Sequence, residues 1–226
     1  MPTPAEASST RTVDRALDLL SAVTETSGAA TLSELARVTG LAPATASRLL
    51  ATLAKRGLVR RDAQGSYRPG LGLMQMAAVV LRGEPLYEAA GSHLAELAQA
   101  SGETANLGIA VDGDRALYLR QVSGVQRVQT AAWTGRTIPR EGTAMGAALA
   151  GRVSSAGYAV CRGLLEPDVV AVAAPVYGHD GEIVAALSIL APSYRTGERE
   201  VARYGGMLSE HCAALSLLQG ANAAGG

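Results

Sequence analysis

The stretch that most limits what this chain can become is Thr31–Asp62, TLSELARVTGLAPATASRLLATLAKRGLVRRD. Thr31 followed three residues later by Glu34 has the form of a capping box and predicts a helix start. Leu32, Leu35, Ala36 and Val38 recur at helical spacing, and Gly40 supplies the left-handed residue that ends the run. Leu41 fills the turn, and Pro43 suits the first turn of a second helix, where a missing N–H costs nothing. In that helix Ala46, Leu49, Leu50 and Leu53 make an apolar stripe, while Thr45, Ser47, Arg48, Thr52 and Lys55 lie on the other side. Small hydroxyls at the start of a second helix, with cations beyond, suit a DNA groove. An ordinary αα-hairpin with a solvated face fits the helix pair equally well. The next segment decides between them: RRDAQGSYRPG reads as strand, turn and strand, with Gln64-Gly65 at the tip and Arg60, Arg61 and Arg68 around it. A basic hairpin after a helix-turn-helix is a wing, and Arg61 and Arg68 suit phosphate better than bases.

Charge supports this division of labour. The formal net charge is zero, but residues 1–82 hold ten Arg/Lys against six Asp/Glu, and residues 83–226 ten against fourteen. A basic head on an acidic body leaves the head to meet DNA. Lys55 is the single lysine, so almost every cation is a guanidinium able to grip phosphate in bidentate fashion.

Around this centre the chain reads as α+β. Thr12 is expected to cap a first helix with Val13, Ala16, Leu17, Leu20 and Val23 inward, closed by Ser27-Gly28, so residues 12–70 form the winged helix-turn-helix domain. Residues 71–84 form a tethering helix whose Leu71, Met74, Ala78 and Leu81 share one face, with Leu73, Met76 and Val80 beside it. Apolar on more than one side, it calls for burial between domains or subunits, a plain core helix being the alternative. Residues 85–220 then alternate: a helix over Leu86–Ala100, a hairpin turning at Asp112-Gly113-Asp114, a third strand VQTAAW, a small helix over Thr143–Gly151, a hairpin tipped at Gly178–Gly181, and a closing helix from Thr196 to Gln219. This is an antiparallel sheet with packed helices, an α+β sensor-like domain. Residues 1–11 and 221–226 are expected to be disordered tails.

The candidates for chemistry are few. Cys161 and Cys212 form no disulfide framework or zinc pattern. Cys161 with His179 would make a thiol nucleophile and base, but only the adjacent Asp180 could orient the histidine, so a structural cysteine is the preferred reading. His93 and His211 have no ligand spacing. Trp133, Tyr118, Tyr158 and Tyr177 could line a pocket or simply fill core. No cofactor, metal or catalytic group is indicated. With neither a signal sequence nor an apolar run of membrane length, the expected location is the cytoplasm.

Taken together, TVDRALDLLSAV, SELARVTGL, ATASRLLATLAKRGLVRRD and YRPGLGL in the first part, and GETANLGIAVDGDRALYL, GYAV and VAAPVYGHDGEIVAALSI in the second, resemble the IclR family of transcriptional regulators from about Thr12 to Leu218. The resemblance implies a dimer or tetramer on a palindromic operator, switched by a small organic acid or aromatic effector in a GAF-like C-terminal domain. Family ligand contacts map onto Gly146, Cys161, Ala171 and Ser188, with Leu190 where a second serine is usual and Tyr158 beside them. Two departures stand out. Pro43-Ala44 replaces the usual polar or basic pair, leaving Thr45, Ser47 and Arg48 as readers. Between GTAMGAALAG and GYAV only RVSSA intervenes, where about forty residues are usual, a length that normally carries elements of its own. The shortening opens an alternative: a ligand-independent regulator whose C-terminal domain only assembles subunits.

Overall fold

The structure, a computed structural model, describes residues 4–26 and 28–221. These fall into two compact units that meet in sequence at Gly83-Glu84.

The first unit begins with α1 (Pro4–Glu25). The helix starts well before Thr12, so the stretch 4–11 expected to be disordered is helical. Pro4 suits a first helical turn, and Ala5, Glu6 and Ala7 are good helix formers. The inward stripe is also displaced. Leu19, Ala22 and Val23 are buried and Ala16 and Leu20 partly so, whereas Val13 and Leu17 are more than half exposed. Of the expected closing pair, Ser27 lies outside the described residues and Gly28 is left-handed at φ 111°.

Helix α2 (Leu32–Thr39) carries the capping box in full: Thr31 N–H donates to Glu34 Oε2 at 2.8 Å, and Glu34 N–H to Thr31 Oγ1 at 3.3 Å. These bonds hold the Glu34 carboxyl below its ordinary value, the Thr31 backbone contributing most. Gly40 ends the helix at φ 65°, and Leu41 N–H bonds Ala36 O, drawing Leu41 against the core. Val38, expected inward, is 66% exposed. Helix α3 (Pro43–Lys55) buries Ala46, Leu50 and Leu53 against α1 and α2. Strands β1 (Val59–Arg61) and β2 (Tyr67–Pro69) form the wing, and Ala30 bonds Tyr67 through both backbone groups, pinning β2 to the start of α2. Helix α4 (Leu71–Arg82) comes next, its first turn tied back by Gly72 N–H to Gly57 O at 2.9 Å.

The second unit is one six-stranded antiparallel sheet, ordered β5-β4-β3-β8-β7-β6. Helix α5 (Pro85–Ser101) leads into β3 (Thr104–Ala110) and β4 (Arg115–Val122), joined at the Asp112 turn. The third strand is not at VQTAAW. Residues 128–133 are irregular, held by Gln121 Oε1 accepting from Trp133 N–H at 2.8 Å. A turn at left-handed Gly135 then brings β5 (Thr137–Pro139) beside β4, because Ile138 is the apolar residue that reaches the core. Helix α6 (Ala144–Leu149) is followed by β6 (Ala159–Arg162), β7 (Val169–Tyr177), β8 (Ile183–Pro192), a short 3-10 turn and α7 (Glu198–Leu218).

Strand alternation divides the sheet's residues between two faces. Leu107, Val172, Val176, Leu187 and Ile189 pack under α5 and α7, while Ala116, Tyr118, Ala173 and Ala186 pack under α6. The short link from α6 to β6 is closed by Gly151 and Gly157, both left-handed, and Ser154 bonds Tyr158 O through its backbone and its hydroxyl.

This packing sets an expectation for the first unit. Leu50→Ala, at a fully buried site between three helices, should lower stability by about 2–5 kcal/mol. Val38→Ala, outside the core, should stay within about 0.5 kcal/mol. Urea unfolding of both variants checks this, and equal losses would contradict the division between buried stripe and exposed Val38.

Candidate DNA-reading surface and effector cavity

The capping box and Gly40 set the angle at which α3 leaves α2, and the buried stripe fixes its rotation. Arg48, Thr52 and Lys55 are exposed as a result, with Thr45 and Ser47 half-buried at the N-terminal end. Thr52 donates its hydroxyl to Arg48 O, a bond within the helix. Pro43 occupies the first helical position after Ala42, which caps nothing with its side chain. Thr45 and Ala46 donate their N–H groups to Ala42 O, so the Ala44 N–H is the one left at the helix N-terminus without a capping side chain.

The wing is stiffened from within. Asp62 Oδ1 accepts the N–H groups of Gln64 and Ser66 at 3.1 and 2.9 Å, and its other oxygen pairs with Arg68 Nε at 3.3 Å. The Ser66 N–H, then Arg68 and Gln64, holds the Asp62 carboxyl below its ordinary value. Arg61 donates to Gly65 O at 2.9 Å and lies over the Tyr67 ring. Arg60, paired in register with Arg68, is exposed. Both expected phosphate ligands are thus tethered at one nitrogen and carry further donors at the guanidinium tip.

In the second unit the expected effector residues do not all converge. Cys161 and Ala171 are cross-strand partners and line one cavity with Trp133, Thr143, Ala144 and Leu190. Its free space is about 30 Å³. Trp133 closes the rim by donating Nε1–H to Glu166 Oε1 at 2.8 Å. Gly146, Tyr158 and Ser188 do not line it. Gly146 is needed for close approach, since a Cβ there would overlap the Arg140 backbone, and its N–H is taken by Thr143 Oγ1. Tyr158 packs its ring on Gly205 of α7. Ser188 is fully buried in the sheet.

The thiol pairing finds no geometric support. Ala171, opposite Cys161, and Tyr177, before His179, are six residues apart on β7, on the order of 20 Å. His179 pairs instead with Asp180 at the exposed hairpin tip, and buried Cys212 donates to Ala174 O with its thiol pushed up to about 12 by burial. Sequence spacing missed one pairing entirely: α5 and α7 bring His93 and His211 together, Nδ1 to Nδ1 at 2.9 Å. Burial first, then His211, lowers the His93 pKa. Among the described residues no three His, Cys, Asp or Glu side chains are grouped to hold a metal ion.

Set against known proteins, residues 12–63 match the IclR helix-turn-helix domain, and residues 78–152 and 151–217 match the bacterial transcriptional regulator IclR C-terminal domain. The second match is in two pieces that meet at Gly151-Arg152, where the chain is short. The Escherichia coli regulator XynR is 26% identical over 242 aligned positions, 91% of this chain and 96% of its own. That alignment is longer than the 226 residues here, so part of it faces gaps on this side. Among solved structures, an IclR transcriptional regulator from Alicyclobacillus acidocaldarius superposes with a TM-score of 0.78 at 25% identity, covering 93% of this chain and 99% of that one. An IclR homolog from Microbacterium hydrocarbonoxydans, complexed with 4-hydroxybenzoate, has the same fold, with a TM-score of 0.74 at 20% identity over 91% and 98% of the two chains. Both halves answer to one family in the order that family uses, and the chain belongs to the IclR family of DNA-binding transcriptional regulators.

Proposed function

We propose that this regulator binds a palindromic operator as a dimer or a dimer of dimers in the cytoplasm. In this reading Thr45, Ser47 and Arg48 meet base edges, and Thr52, Lys55, Arg61 and Arg68 meet phosphate. The observation that carries it is the two-sidedness of α3: one side is sealed in the core, and the other offers hydroxyls and cations to solvent. Dimerisation falls to α4. It has no buried residue, and Leu71, Met74, Met76, Val79 and Val80 are each more than half exposed. Monomers rarely leave so much contiguous apolar surface to water, and a second copy of the helix would cover it. No helix among the described residues is long and apolar enough to cross a membrane, so a bilayer does not offer an alternative span for it.

A small effector in the C-terminal domain completes the reading, supported by the 4-hydroxybenzoate held by the Microbacterium homolog. The size of the cavity favours a second reading beside it. Space of about 30 Å³ does not admit an aromatic acid, and a domain that only joins subunits would need no more.

Two tests separate the parts. Asp62→Asn frees the Arg68 guanidinium and should steepen the salt dependence of DNA binding by up to about one unit of slope, while Arg68→Ala should reduce it by about one. Unchanged slopes in both would take the wing away from phosphate. Met74→Glu with Val80→Glu should give a monomer by sedimentation and weaken operator binding by about 10²-fold or more, since the second half-site is then bound independently. A dimer that persists with full affinity would place the subunit contact elsewhere.

A further inference from the structure

Strands β3 and β8 carry three buried polar side chains on one face of the sheet. Thr104, Asn106 and Ser188 are 1%, 0% and 0% exposed. Three of their atoms find no hydrogen-bond partner in the protein, Thr104 Oγ1 and Asn106 Oδ1 and Nδ2, while the Ser188 hydroxyl interacts with the Tyr118 phenol. Buried polar groups are almost always paired, so three orphans in one place call for a reason. They form a set: Asn106 and Ser188 are direct cross-strand partners, and Thr104, two residues from Asn106 on the same face, is opposite Leu190. The neighbouring row Thr104, Leu190, Ala171 and Cys161 runs across the sheet to the cavity roofed by Trp133. The polar set therefore adjoins the cavity one step along the strands. Beside Ser188 stands the buried phenol of Tyr118, pushed up to about 12 chiefly by burial and so a neutral donor throughout the working range.

Stability alone would place apolar residues here, as the strands do at Leu107, Leu187 and Ile189. The charges around the cavity are equally specific. Glu166 is the one charged residue lining it, and no Arg or Lys does so. Arg136 stacks over Trp133 at 4.9 Å but is itself exposed. A carboxylate brought into this space would lose its hydration without meeting a cation, whereas a neutral amide would lose far less.

We infer that Asn106 and Thr104, with Ser188 beside them, are the recognition group of an effector site that adjoins this cavity next to Leu190, and that the ligand they suit is a small neutral amide rather than an organic acid. The Asn106 side chain offers one acceptor and one donor side by side, the complement of another amide, and the two hydroxyls can each give or take a bond. The free space limits the ligand to a few heavy atoms. This assignment rests on the effector reading of the C-terminal domain and adds Thr104 and Asn106, which the family resemblance does not supply.

Thermal unfolding of the full chain with matched pairs tests it: acetamide against acetate, and propionamide against propionate. The amides should raise Tm in a concentration-dependent way and the acids should not. Asn106→Leu should abolish the amide shift and, by removing orphaned polar atoms, raise Tm without ligand by about 2–4 °C. Should that variant fail to fold, Ser188→Ala, a smaller change, should halve the amide shift or better. A shift with the acids and not the amides overturns the ligand class and leaves the effector reading standing. If no compound of either pair shifts Tm, the polar set holds water only, and the effector reading of this cavity falls with the proposal. Asn106→Leu with lower Tm and an intact amide shift would make Asn106 a structural residue.

Discussion

The β7–β8 hairpin has to be covered on both faces, and most of the second unit is arranged to meet that need. Flanked by β6 and β3, it has successive residues buried from Val172 to Val176 and from Ala185 to Pro192, so neither strand leaves one face to water as antiparallel strands commonly do. The two faces are met by different side chains. Under α5 and α7 the larger ones gather, Val170, Val172, Val176, Leu187 and Ile189, with Ala174, Ala185 and Ala191 between them. Under α6 they are small: Ala171, Ala173, Ala186 and Ser188, with Gly108 on β3, where a Cβ would strike Met145. A six-residue helix brings little apolar surface of its own. It can seal the sheet only by approaching closely, and the small side chains allow that approach.

The same geometry bears on the link between α6 and β6. The family match breaks into two pieces at Gly151-Arg152, and there two left-handed glycines and the Ser154–Tyr158 bonds carry the chain straight into β6. Closure of the sheet rests on α6, which packs on Ala116, Tyr118, Ala173 and Ala186. The cavity beside it, lined by Cys161 and Ala171, is small, about 30 Å³. In the first unit the balance is reversed. The helix-turn-helix is sealed within itself, and α4 is left apolar with nothing in its own unit to bury it.

Local chemistry that acts over three or four residues was legible in the sequence. Thr31 with Glu34, Gly40, Pro43, and the turns at Asp112–Asp114 and Gly178–Gly181 each satisfy backbone groups within their own segment, so tertiary context had little to add. Features decided across the fold were not. The third strand formed at Thr137–Pro139 because Ile138 had a place opposite Ala116, a fact absent from the pattern of VQTAAW. In α1, Val13 and Leu17 have the right period, but the stripe that faces α3 is one step round the helix. The link between His93 and His211 spans 118 positions and has no motif. Asn106 and Thr104 read simply as polar residues in an alternating strand, since alternation tells which face a residue takes and not that both faces are dry. The positions taken from the family do not share one place in the fold. Cys161 and Ala171 line the cavity, while Gly146 and Tyr158 hold the backbone and helix packing around it.

The size of the cavity also bounds how such a regulator can be switched. The best tiny ligands bind with about 1.5 kcal/mol per non-hydrogen atom, so a four-atom amide has at most about 6 kcal/mol to spend. Moving a two-state equilibrium from 1:99 to 99:1 takes about 5.5 kcal/mol of preference for one state. A ligand of this size would need almost all its binding energy to be differential, which no ligand achieves when its site exists in both states. The switch can therefore work only if the ligand-free protein already lies near balance. On the proposal above, the orphaned atoms of Thr104 and Asn106 would act in that direction, each unmet buried group costing about 1–3 kcal/mol until a ligand meets it. A site that is costly when empty brings the two states closer before any ligand arrives, and so lets a small molecule tip them.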